Sequence, residues 1–505
     1  MIKKMITGMF VILLVLLVSC ATTGKPMKET AVFYVETEVS GVLLVNRSNT
    51  GFFGNVNGDF YSNGKFSGSD NPRNGNPVTV NPNDRIRINV SNPIKGSEYI
   101  IAVQASTGNI FQADTVIVGS GDFREAGAFI YYSVSVLQFD LRNAVPDPES
   151  DFGAEPINNG TAVLINGYLG NKQVVNIPPT IRGLPVTQIR DGVFRNRNLT
   201  TVIIPDSVGS IGNFAFAENR QLTNLYIGSN VVYIGEGAFK DCRSLTNVVI
   251  PDSVTVIYGK AFEGCTGLTS VTIGNSVRTI GTEAFKGCTG LVNVKIPNSV
   301  TVIYQNAFYG CTGLTSIIIP DSVTGIGISA FMGCTRLTNV TIGNSVTVIG
   351  SYAFMDCTSI TNVTIGSSVT NIGNDAFKAC RRLTNIVIPD SVIQIGSFAF
   401  MESGLSNVTF GDSVRTIGQD AFRDCRLVNI TIPASVTRIY DTAFYGNSNL
   451  STVTFLSQTP PTLGSAVFNY TNANVRFEVP AASVNAYKSA WMERNLSNQI
   501  FPIWE

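Results

Sequence analysis

Apolar positions in the C-terminal part of the chain recur with a period of 23 residues. In the stretch 268–290 (LTSVTIGNSVRTIGTEAFKGCTG), Leu268, Val271, Ile273, Val277, Ile280, Ala284, Phe285 and Cys288 are apolar, with polar residues and Gly between them. The following copies start at Leu291 and Leu314. The Phe of the Ala-Phe pair keeps the register through Phe194, Phe216, Phe239, Phe262, Phe285, Phe308, Phe331, Phe354, Phe377, Phe400, Phe422, Phe444 and Phe468. Most intervals are 23; the first and two near the end are 22, and the last is 24. Val271 and Ile273 flank Thr272, the alternation of a strand. Val277 and Ile280 mark a second, shorter extended piece. The tight turn between the two pieces is Gly274-Asn275-Ser276 in one copy and Pro320-Asp321-Ser322 in another. Such residues set the backbone angle or hydrogen-bond it locally. The Ala-Phe pair falls on a turn too short for an independent helix.

A unit of this length cannot bury its own apolar face and must stack on its neighbours. The pattern predicts a solenoid of about 13 coils, each giving one strand to a continuous parallel sheet, with the Phe residues as an internal spine. At about 4.8 Å per coil the stack is on the order of 60 Å long. Residues 158–190, including Ala162–Ile165 and Lys172–Ile177 read as a hairpin, form the N-terminal cap. Residues 457–505 form the C-terminal cap, with a strand at 474–479, a helix burying Val484, Tyr487 and Trp491, and a last strand near 498–503. Open stacks expose unpaired strand edges, so both ends need covering.

Upstream the period is absent. Strand-like runs between residues 31 and 142, such as Ile86-Arg87-Ile88-Asn89-Val90, predict an antiparallel β-sandwich-like domain. The Pro-rich, acidic stretch 143–157 reads as a linker. A Gly/Asn-rich stretch, 51–77, reads as a long hairpin or loop. Asp59 and Asp70 within it lack the spacing and closing Glu of a Ca²⁺ loop. At the start, Lys3 and Lys4 precede an apolar run too short to cross a membrane comfortably, which reads as an export signal, residues 1–19. Residues 20–30 read as a tether.

The repeat, with its LxxVxIPxSVxxIGxxAFxxC pattern, closely resembles the BspA-like (treponemal-type) leucine-rich repeat, over about residues 158–505. The resemblance implies a cell-surface protein that binds other proteins; some members are host-matrix adhesins. Leu17-Val18-Ser19-Cys20 is similar to the bacterial lipoprotein box. That similarity implies lipidation of Cys20 and membrane attachment, with Ala21 favouring the outer membrane; with the repeat resemblance the expected place is the cell surface, and an orientation into the periplasm is the alternative. The expected partner is a protein, from the host matrix or a bacterial surface, rather than a glycan. A second reading makes the chain a glycan- or nutrient-capture lipoprotein with residues 31–142 as binder and the repeats as scaffold.

Composition narrows the chemistry. The chain has no His, which removes His-based triads, His acid–base catalysis and His metal ligands. Lys plus Arg and Asp plus Glu number 35 each, so a basic nucleic-acid footprint is not expected. No enzyme, cofactor or metal site is expected, and no residue stands out as a binding site beyond the lipid attachment at Cys20. Cys242, Cys265, Cys288, Cys311, Cys334, Cys357 and Cys380 occupy one slot in seven successive coils, followed by Ser403, Cys425 and Asn447. An unbroken row cannot all pair as disulfides, and the slot reads as small buried thiols behind the Phe spine. Two outward rows are candidate surfaces. Thr272, Thr341 and Thr364 belong to a weakly polar row on the long strand, suited to a large ligand or simply to an exposed strand. Tyr309, Met332 and Met355 make an apolar stripe if they are exposed and internal packing if they are not.

Overall fold

A computed structural model of the chain describes residues 146–492 and 496–503, together with eleven strands between residues 30 and 139. Cys20, the export signal and the tether lie outside the described residues, as does Asp70; Asp59 falls in the strand Gly58–Ser62. The chain divides into two units, Met1–Ala144 and Val145–Glu505.

The strands of the first unit form two sheets. One has the order Phe129–Ser133, Thr30–Glu36, Arg85–Ser91, Gly58–Ser62, Lys65–Ser69. The other runs Gln138–Phe139, Ile110–Gln112, Glu98–Gln104, Gly41–Arg47, Thr79–Val80, with Val116–Ile117 also beside Glu98–Gln104. Gly58–Ser62 and Lys65–Ser69 make a hairpin inside the Gly/Asn-rich stretch. The expectation of purely antiparallel pairing fails at one place, because Phe129–Ser133 runs parallel to Thr30–Glu36. The chain reaches that strand from Val116–Ile117 of the other sheet, and a crossover, unlike a hairpin, permits a parallel partner.

In the second unit coils bond to their neighbours on three sides, the long-strand side being interrupted at four places. The long strands pair in register, as Val248 with Val271 and Val271 with Val294. The short strands pair likewise, as Ile257 with Ile280 and Ile280 with Ile303. On the third side the Ala-Phe turn repeats one bond: Phe262 N–H donates to Ala284 O at 2.8 Å and Phe285 N–H to Ala307 O at 2.8 Å. Just before each Ala a residue sits in left-handed backbone, for example Lys260, Glu283, Asn306 and Ser329. That conformation costs a non-glycine residue about 1–2 kcal/mol, and the cross-coil bonds of the turn offset it. Inside, the thirteen rings from Phe194 to Phe468 form one stack, and neighbours such as Phe308 and Phe331 lie 5.2 Å apart at an angle of 4°. Parallel rings at that separation are offset, the arrangement the ring quadrupole favours. With the capping turns, the solenoid has about 15 turns.

The expected continuous sheet with one strand per coil is present, and two other expectations are corrected. The continuous sheet is built by the short strands, from Ser210–Ile211 to Thr462–Leu463, in a sheet of 16 strands, whereas the long strands form sheets of two to four strands. The hairpin expected between Ala162–Ile165 and Lys172–Ile177 does not form. Ala162–Tyr168 pairs antiparallel with Phe152–Ile157, and Val174–Asn176 is already a long strand, in register with Thr201–Ile203. Phe152 and Tyr168 are buried beside Phe194, which draws both segments onto the end of the spine. The strand Phe152–Ile157 therefore begins inside the stretch whose composition suggests a linker. Its acidic neighbours are engaged too: Lys172 pairs with Asp147 and Asp151, and Arg190 with Glu155.

At the other end, Arg476–Val479, the helix Val484–Ala490 and Ile500–Pro502 are present. Tyr487 and Trp491 are buried against Phe455 and Phe477, covering the last apolar coil.

Candidate binding surface

The long strand turns Val271 and Ile273 inward and leaves the residue between them on the outer face. Across coils this outer row includes Val249, Thr272, Lys295, Ile318, Thr341, Thr364, Val387 and Thr409. Ile318 and Val387 are 66% and 64% exposed, and Val249 is also exposed. Large aliphatic side chains this open on a regular strand face gain nothing from the fold and are available to a partner.

The polar row beside it is partly spent on the stack itself. Asn362 Nδ2 donates to Asn339 Oδ1 at 2.9 Å, and Asn407 Nδ2 to Asn385 Oδ1 at 2.8 Å. Thr338 Oγ1 donates to Thr315 O at 2.9 Å one position earlier. The outer Thr272, Thr341, Thr364, Thr409 and Thr431 make no such bond among the described residues. The weakly polar row is thus free, while the Asn row next to it has a structural use.

The stripe after the Phe spine divides. Tyr309 is just exposed, with Lys286 Nζ 5.9 Å from its ring centre, but Met332 and Met355 are half-buried. Its charged members are paired: Lys240 with Glu263 at 2.7 Å, Lys286 with Glu283 at 2.8 Å, and Lys378 with Asp375 at 3.2 Å. This side of the coil is packed and self-neutralised.

All eight cysteines from Cys242 to Cys425 are buried free thiols. Burial pushes their pKa up; for Cys265, Cys311 and Cys425 it reaches about 12. A thiol held protonated by desolvation is neither a nucleophile nor a metal ligand at neutral pH. No group of three or more Cys, Asp or Glu able to hold a metal occurs among the described residues.

Sequence reasoning passed over one feature of this face. Between the Cys slot and the first Leu of the long strand, the only charged residues in the coils are Arg220, Arg243, Arg336, Arg381, Arg382 and Arg426. Arg381, Arg382 and Arg426 line a groove of about 660 Å³ together with residues of the strands Asn362–Thr364 and Asn385–Val387. The signal was present in the sequence as a position that admits Arg but never Asp or Glu; a net charge of zero conceals it.

Stacked coils with one long strand, a short strand, a phenylalanine spine and a buried Cys row define a leucine-rich-repeat protein. The chain belongs to the BspA type leucine-rich repeat family, whose repeat region matches residues 187–312, 255–384 and 370–497. Similar solved structures include a leucine-rich cell-surface protein of Faecalibacterium prausnitzii, 29% identical, with 72% of this chain and 96% of that one covered and a TM-score of 0.44. A leucine-rich repeat protein of Bacteroides ovatus is 26% identical over 72% of this chain and 100% of that one, with a TM-score of 0.46. The leucine-rich repeat protein of T. pallidum is 24% identical over 47% of this chain and 91% of that one, with a TM-score of 0.28. No curated protein matches the chain. The family is one of cell-surface repeat scaffolds, a type whose repeats generally mediate protein–protein contact, and is not a known enzyme class. No helix among the described residues is long and apolar enough to cross a membrane.

Proposed function

We propose that this chain is an exported, lipid-anchored surface protein whose long-strand face binds other proteins, in adhesion to host matrix or to another cell. The observation that carries the reading is the outer row, in which Val249, Ile318 and Val387 stand exposed among unbonded threonines. Such a face offers area and repetition without chemistry, and several weak contacts along one rigid stack add up to a stable attachment. Cys20, following Leu17-Val18-Ser19, is the proposed lipid attachment point. Several acyl chains on one residue hold a protein firmly, since each buried methylene contributes about 0.8 kcal/mol.

The test is binding of the purified full chain to immobilised matrix proteins, with and without the pair Val249→Lys and Ile318→Lys. Both side chains are exposed, so the pair leaves the fold intact. Affinity is expected to drop about tenfold or more, as for residues at the centre of an interface. Unchanged binding would move the interface off this face. A fragment spanning residues 31–142 that binds as well as the whole chain would favour the capture reading instead.

A further inference from the structure

The groove on the long-strand face lies beside two coils that are one residue shorter than most. In most coils two residues separate the Cys slot from the long-strand Leu, as Arg381 and Arg382 separate Cys380 from Leu383. The next coil has only Gly404 between Ser403 and Leu405, and the one after has only Arg426 between Cys425 and Leu427. The Gly404 turn, like the full-length turns at Gly267 and Gly290, runs close to its neighbour: Gly404 N–H donates to Cys380 O at 3.3 Å, and a Cβ on Gly404 would lie 2.3 Å from Arg381 O. Glycine is thus required there, and no side chain stands between the Arg382 turn and the Arg426 turn.

The groove lies where the long-strand ladder is interrupted. Asn362–Thr364 and Asn385–Val387 are neighbours that do not pair, at one of four such breaks. Val363, whose counterparts Val340 and Ile386 are buried, is half-exposed at this break. Val387 stands 64% exposed beside it. The groove is therefore lined by aliphatic side chains, by Asn and Thr, and by Arg381, Arg382 and Arg426.

Those charges are largely unspent. Arg381 is paired with Glu402 at 3.2 Å, but Arg382 and Arg426 have no ion pair among the described residues. In the coils from Leu222 to Phe455, no acidic residue occupies the long strand or the turn leading into it, although the chain as a whole has equal numbers of acidic and basic residues. The acids are segregated to other sides of the coil. An arginine fork presents paired donors that match a carboxylate.

From the groove between Arg382 and Arg426 we infer a binding site for an extended acidic peptide segment of a partner protein, with carboxylates on the arginines and aliphatic side chains on Val363 and Val387. An acidic polysaccharide would satisfy the arginines but leave the aliphatic side chains wasted, so the mixed lining favours a peptide. This deepens the proposed protein-binding function and rests on it.

The experiment uses the full chain and a fluorescent synthetic peptide of alternating Glu and Val, read by fluorescence polarisation. A peptide of alternating Lys and Val and a sulfated polysaccharide serve as comparisons. The acidic peptide should bind, and more weakly as salt is raised. The pair Arg382→Gln and Arg426→Gln should weaken it about tenfold, while Arg220→Gln, on the same edge but distant, leaves it unchanged. Far-UV circular dichroism and the melting midpoint confirm that both variants are folded. Equal loss with Arg220→Gln would show a diffuse charge effect and overturn the site. So would absence of peptide binding, or tight polysaccharide binding that the peptide does not displace. The Val249→Lys and Ile318→Lys pair separates the two proposals. If it abolishes matrix binding while the arginine pair leaves peptide affinity untouched, the face stands and the groove falls. The reverse result keeps the groove and removes the broader face.

Discussion

The most informative single position is the Cys slot. Its thiols do more than fill space, because each S–H donates to the Phe carbonyl of the preceding coil: Cys265 to Phe239 O at 3.2 Å, Cys311 to Phe285 O at 3.2 Å, and Cys357 to Phe331 O at 3.1 Å. Near the ends Asn takes the slot and does the same with an amide. Asn219 Nδ2 donates to Phe194 O and Phe216 O, and Asn447 Nδ2 to Phe422 O and Phe444 O. Two outcomes follow. Cys311→Ala removes one of the two bonds that Phe285 O accepts, the Cys288 N–H bond remaining, and should lower stability by about 0.5–1.5 kcal/mol in denaturant titration. The second concerns pH. Folded Cys265, Cys311 and Cys425 titrate near 12, above the ordinary value of 9.0, because burial disfavours the thiolate. The unfolded chain then loses these protons first as pH rises. Their contribution is intact below about pH 9 and is lost progressively between about 9 and 12. A thiol reagent at pH 8 should label none of the eight in the native protein and all of them in denaturant; rapid native labelling would contradict the buried row. The burial was legible in the sequence, since one slot repeated in seven coils cannot pair throughout. The hydrogen bond was not, because Cys reads as apolar in a periodicity argument. Asn219 and Asn447, polar residues in an otherwise apolar slot, were the signal that a donor is needed there.

At the scale of the element, the coil is held by what the pattern showed and by what it concealed. Leu268, Val271, Ile273, Val277, Ile280 and Phe285 are inside, as the 23-residue period requires. The division of labour between the two strands was not visible, because the 23-residue pattern repeats apolar residues on both strands alike. The caps show the same limit. Val174–Asn176 has the composition of a hairpin partner, and only the stack reveals it as a long strand in register with Thr201–Ile203. The spine supplies the sharpest expectation. Phe331 is fully buried between Phe308 and Phe354, with ring centres at 5.2 and 5.3 Å. Phe331→Ala should cost about 3–5 kcal/mol. Because each coil contacts only its neighbours, the loss should also divide unfolding into two transitions. One unshifted transition in a calorimetric scan would show that the rings contribute little.

For the whole molecule, the arrangement follows from economy of pattern. A single repeated coil yields a rigid stack whose inner rows are used up by packing and whose long-strand face is left open. The Asn and Cys rows, the lysines of the Ala-Phe turns and the capping aromatics are engaged; Val249, Ile318, Val387, Arg382 and Arg426 are not. A face of that kind binds partners outside the cell only if the solenoid stands outside, and Cys20 is the residue proposed to hold it there. Protease treatment of intact cells tests this most directly, with an antibody to the repeats and a periplasmic protein as the marker of an unbroken envelope. The account predicts that the repeat signal disappears while the marker survives, and that in a Cys20→Ser variant the repeats leave the membrane fraction. Repeats that stay protected until the outer membrane is broken would contradict surface binding and place the solenoid's partners in the periplasm.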